Sequence, residues 1–160
     1  MTQAQRLLAA ALFVAFVSTG LAMGVAFAHV LELPTKMALD RDTYFLVQQL
    51  NRGWLILSVL LGVQLLSILV TAFLSREDSP MLILALVALG ALIGAQAVFW
   101  LWTFPANVAT DDWTLIPENW EQLRAQWEYS QATSAVFQIV AFASLAFAVV
   151  MPIWRGEYAD

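Results

Sequence analysis

Residues 53–105 read GWLILSVLLGVQLLSILVTAFL, then SREDS, then PMLILALVALGALIGAQAVFWLWTFP. Two long apolar runs flank one short polar break. A helix needs about 20 mostly apolar residues to cross the hydrocarbon of a bilayer. Each run meets that length, and the break is just long enough to reverse the chain. The reading is a pair of membrane-spanning helices joined by a tight turn. Arg52 and Arg76 bracket the second span, Gly53 to Leu74. The third runs from Met81 to Phe104, with Ser79 placed to cap it, Pro80 in its first turn and Pro105 expected to end it.

Outward from this hairpin lie two further spans. Leu7 to Leu33 follows Arg6 and is expected to stop at Pro34; Ala132 to Trp154 is closed by Arg155 and Gly156. Ala26-Phe27-Ala28 has the look of a signal-peptidase site. The apolar run before it is longer than the usual 7–15 residues of a signal sequence, so an uncleaved first span is expected. The fold class that follows is all-α: four transmembrane helices in an up-down bundle, forming one integral membrane domain over 1–160. Asp40 or Asp42 can cap a helix through Tyr44, Val47 and Gln48 into the second span. Pro117-Glu118-Asn119 can start another through Trp120, Leu123 and Trp127 into the fourth. The second and fourth helices are therefore expected to project beyond the bilayer on one side, with Trp and Tyr at headgroup depth.

Composition agrees. The chain is 61% hydrophobic and 12% charged, with seven Trp and ten Phe, which leaves too little polar surface for an ordinary soluble domain. The formal charge of −5, without a basic cluster, excludes nucleic acid as a natural partner. With no cysteine and one histidine, thiolate metals, iron–sulfur clusters, disulfides and bis-histidine haem within one chain are out of reach. No phosphate loop, dinucleotide fingerprint or nucleophile elbow occurs, and no cofactor is expected. The expected surroundings are a lipid bilayer. Gly20-Leu21-Ala22-Met23-Gly24 and Gly90 to Gly94 are close-approach motifs that serve either packing inside the bundle or contact with another copy or a membrane protein partner.

The informative polar residues gather where the two long connections meet the spans. His29 and Glu32 are three apart on one helical face, an arrangement that suits either proton transfer or anchoring of the helix end. Glu121, Arg124, Glu128, Gln131 and Gln138 form a stripe on the fourth helix, flanked by Trp120 and Trp127. Such a stripe is costly against lipid and is expected to face the bundle, with Arg124 pairing to Glu121 and Glu128. Gln96, Trp100 and Thr103 add one face of the third helix. The candidate catalytic residues are His29, Glu32 and Glu128. The candidate ligand-binding residues are Arg52, Trp54, Asn107, Trp120, Glu121, Arg124, Trp127 and Gln131. A convergent polar and aromatic mouth of this kind fits a pocket for a small apolar ligand, or an internal network that only holds the helices together.

Taken in order, Ala28-His29-Val30-Leu31-Glu32-Leu33-Pro34, Gln48-Gln49 with Arg52-Gly53-Trp54, Phe104-Pro105-Ala106-Asn107 with Thr110 and Trp113, and Trp120-Glu121 with Arg124 and Trp127-Glu128-Tyr129-Ser130 resemble a bacterial family of small four-span membrane proteins of unassigned function. The chain is similar to the anthrone-oxygenase-like proteins over nearly its whole length. The resemblance implies a four-helix membrane fold and, more remotely, an oxygenase acting on aromatic polyketides without an obvious cofactor. Relatives often carry His where this chain has Gln131, which lowers the enzymatic reading. A bacterial inner membrane is implied. An even number of spans puts both termini on one side, and Arg6 and Arg76 in short flanks favour the cytoplasm. The two functions that follow are a binder or converter of a small apolar molecule and a non-enzymatic membrane subunit for a protein partner.

Overall fold

The computed structural model describes residues 2–51 and 55–155. Among them the chain forms α1 (Gln3–Ala38), α2 (Arg41–Gln48), α3 (Leu55–Leu74), α4 (Ser79–Val98), α5 (Phe104–Ala109) and α6 (Trp120–Trp154). A 3-10 turn, Gln49–Asn51, follows α2, and a π turn, Phe99–Thr103, joins α4 to α5. Four of these helical segments are long and apolar enough to cross a membrane. Neighbours around the bundle are α1 and α3, α3 and α4, α4 and α6, and α6 and α1. Chain direction makes each neighbouring pair antiparallel, so the architecture is the up-down four-helix bundle read from the hydropathy.

Three boundaries differ from expectation. Pro34 does not end α1, which continues to Ala38. A proline removes one backbone hydrogen bond and crowds the preceding turn. Here Lys36 bridges that weak point by pairing with Glu32 one turn earlier, Nζ to Oε2 2.8 Å, and lies buried against the bundle. Pro105 likewise does not stop the third span. The helical path continues through the π turn, and Pro105 sits in the first turn of α5. At the start of α4 the cap is Asp78, whose carboxylate accepts from the Met81 N–H at 3.3 Å, rather than Ser79. Asp40 caps α2 as expected, accepting from Thr43 N–H at 3.1 Å. Helical extensions gather at one end of the bundle: the ends of α1 and α5, the separate helix α2, and the start of α6.

The end nearer the termini is close-packed. Leu12, Ala15, Ile68, Ala88, Ala141, Leu145 and Ala148 form one buried cluster. Small side chains let the backbones approach where lipid supplies no hydrophobic drive. Ser67 and Thr71 on α3 and Ser75 just after it follow a four-residue rhythm, and each hydroxyl donates to the carbonyl one turn back at 2.7–2.8 Å. Their polarity is thus settled within the helix. The two glycine motifs are each half used: Gly20 takes the Phe142 ring and Gly94 the Phe137 ring, whereas nothing lies within 4 Å of a Cβ built on Gly24 or Gly90. Halfway along, Gln64 on α3 donates to Thr19 on α1 at 3.2 Å and to Gln138 on α6 at 2.9 Å. This amide bridge separates the packed end from what lies beyond it.

Candidate functional site

Beyond the bridge the bundle encloses a cavity of about 930 Å³. Its wall begins at Gln138 and rises past Gln131, Gln96 and His29 to Asn107 and Trp113. The helices stay apart here because the residues are larger. His29 lies against the edge of Trp127 with ring centroids 5.3 Å apart, and Trp113 meets Trp127 at 6.0 Å and Tyr44 at 5.3 Å, all near perpendicular. Edge-to-face packing of this kind suits the aromatic quadrupole.

Trp113 is held at this end of the cavity by an unusual loop. Asp111, Asp112 and Trp113 have φ of 47°, 52° and 65°, a left-handed run that costs L-residues about 1–2 kcal/mol each. Hydrogen bonds from the end of α5 hold it in place. Asn107 accepts from Asp112 N–H through its carbonyl at 2.8 Å and from the Trp113 indole through its side chain at 3.1 Å. The Thr110 hydroxyl accepts from Trp113 N–H at 3.1 Å while donating to Ala106.

A buried charge cluster adjoins the cavity behind Gln48. The Glu128 carboxylate is 1% exposed. It accepts from the Tyr44 hydroxyl at 3.1 Å and from the Gln48 amide at 3.2 Å, with Lys36 Nζ 4.0 Å away. Its other oxygen, Oε2, is buried without a hydrogen-bond partner. Burial, and then the Glu128 charge, push the Tyr44 phenol well above its ordinary range, so it keeps its proton and donates. Lys36 also lies 5.5 Å from the Trp127 ring centre, a favourable place for a cation.

The expected site residues divide accordingly. His29, Trp127, Gln131 and Asn107 line the cavity; Glu128 lies one hydrogen bond behind it. Glu32 turns to Lys36 and its side chain is 53% exposed. Arg124 forms no ion pair with Glu121 or Glu128 among the described residues. Its guanidinium donates to the Leu39 carbonyl at 2.9 Å and stacks over Trp120 at 4.7 Å and Tyr44 at 5.6 Å. The expected Glu121–Arg124–Glu128 chain is therefore replaced by Lys36 serving Glu128, and Glu121 stands exposed. The reason is geometric: the end of α1 and α2 cover that face of α6 and bring their own cation and carbonyl. Arg52 and Trp54 lie outside the described residues.

Sequence reasoning missed Lys36, Tyr44, Gln48 and Gln64 as parts of this arrangement. Lys36 could have been found, since it continues the His29–Glu32 face at one-turn spacing, but only by disregarding Pro34. Gln64 is a lone amide in an apolar run, which is a signal in itself. No protein-family model matches the chain, and neither does any curated protein or solved structure.

Proposed function

We propose that this four-span protein binds a small apolar molecule in the cavity, with His29 as the group placed to exchange a proton with it. The observation that carries the reading is the cavity itself, which combines a mainly apolar wall, a volume of about 930 Å³ and polar side chains placed along it from Gln138 to Asn107. That is the usual make-up of a small-molecule site. His29 is the one wall residue whose ordinary pKa lies near neutrality. The resemblance to anthrone-oxygenase-like proteins supports oxygenation of an aromatic compound as the reaction, with dioxygen as the oxidant, and the arginine pattern supports cytoplasmic termini in a bacterial inner membrane.

The experiment is purification from native membrane followed by mass spectrometry of co-purifying small molecules, with His29→Gln beside the parent. A compound retained by the parent and lost or left unconverted by a normally folded His29→Gln supports the reading. Equal retention and conversion by both proteins removes His29 from it. A second reading, a non-enzymatic subunit, draws on Gly24 and Gly90, whose open faces could seat another helix. It predicts instead that one protein partner co-purifies and is lost on Gly24→Leu.

A further inference from the structure

The way into the cavity bears on what it takes, and the inference rests on the cavity being a ligand site. Ser58, Gly62 and Leu65 on α3, and Ile93 on α4 with Trp100 in the π turn that continues it, are both exposed and part of the cavity wall. Spacings of four, three and seven put each set on one helical face. The two faces form the lips of an opening between α3 and α4. Both helices are membrane spans, so the opening meets lipid. The apolar lips admit a hydrocarbon chain without cost, because lipid and lip are alike to it.

The inner end has the opposite character. Trp127 is 4% exposed and lines the cavity, and its indole N–H is buried with no acceptor. A buried donor left unpaired is costly, and a ligand oxygen would satisfy it. Among the described wall residues the ionisable side chains are His29 and Asp112, and no Lys or Arg is present. None of these described side chains carries a fixed positive charge to balance an anionic head.

We propose that the cavity takes a neutral, single-chain amphiphile from the bilayer, its head carrying a carbonyl oxygen that accepts from Trp127 while its chain leaves between α3 and α4. The test uses the protein in phosphatidylcholine nanodiscs and three probes of equal chain length: a methyl ketone labelled at its carbonyl carbon, a fatty acid and a primary amine. The ketone is expected to bind about tenfold more tightly than either charged probe. Gly62→Leu is the blocking variant. A Cβ there meets nothing within 4 Å, so the side chain projects into open space at the lip and leaves packing intact. It should weaken ketone binding about tenfold with no loss of melting temperature. Trp127→Phe keeps a ring and removes the donor; it should cost about fivefold and abolish the shift of the bound carbonyl carbon signal.

Tighter binding of the acid or the amine overturns the neutral head, and unchanged ketone binding by Gly62→Leu overturns the lateral route. Naphthalene is the control for the underlying reading. If naphthalene binds and Gly62→Leu or Trp127→Phe weakens it, while the ketone does not bind, the amphiphile is wrong and the ligand site stands. If none of the four compounds binds the folded parent, both fall.

Discussion

The two ends of the bundle solve the same packing problem in opposite ways. Toward the termini the buried residues are largely alanine and leucine, the helices lie close, and the charges sit outside, where Arg155 clasps Asp78 at 2.7 and 3.1 Å across the bundle's rim. At the other end, tryptophan, tyrosine and histidine hold the helices apart, the charges lie inside, and a cavity remains between them. Close packing needs small residues and no unsatisfied groups. A site needs room, donors and acceptors, and it depends on electrostatics to stay folded. The proposed ligand site falls at the expensive end.

The buried charges offer the largest way to break this contrast. Lys36→Met leaves Glu128 without its nearest cation in a dry setting, and loss of one partner of a buried pair costs about 3–5 kcal/mol. Thermal unfolding in detergent should show the drop, and adding Glu128→Gln to the same chain should recover part of it. A Lys36→Met protein that melts like the parent would mean that water reaches the pair. Overfilling the packed end comes next. Ala141 is fully buried, and Ala141→Leu should cost about 1–3 kcal/mol by forcing neighbours off their rotamers. Gly62→Leu, at the open end, should cost nothing in the same melt. Equal losses at both positions would erase the distinction between the ends.

The smallest effect belongs to the outer ion pair. The hydrogen bond from Arg155 holds the Asp78 carboxyl below its ordinary value of 3.8. A depressed carboxyl contributes stability above its unfolded pKa and loses it as pH falls through the folded one. The contribution should therefore be constant near neutrality and fade only below about pH 4. The Asp78 side chain is 37% exposed, so solvent screens the pair, and Asp78→Asn should cost about 0–1 kcal/mol in a melt at neutral pH. A loss as large as that of Lys36→Met would make the two ends electrostatically alike.

Length and hydropathy made the four spans legible, since a membrane demands both and little else satisfies them. The polar face of α6 was legible too: Arg124, Glu128 and Gln138 are buried because lipid refuses them. Their partners were not. Local backbone rules stop helices at Pro34 and Pro105, and both rules yielded to packing that only the assembled bundle supplies. With α1 ending at Pro34 by that rule, Lys36 has no place on its face, and Arg124 is the nearest cation in sequence to Glu128. The left-handed loop carrying Trp113 had only a faint signal in Asp111-Asp112, since aspartate tolerates a positive φ without requiring it and tryptophan rarely adopts one.

The lateral route proposed between α3 and α4 also sets which concentration would matter. A site that opens to water responds to molarity in the surrounding solution. One that opens to lipid responds to mole fraction in the membrane, where a sparingly soluble compound accumulates. Doubling the lipid at constant total compound dilutes such an occupant, although the aqueous concentration hardly changes. Occupancy of this cavity should therefore follow the ratio of compound to lipid, and the same protein would look avid or indifferent according to how much membrane surrounds it.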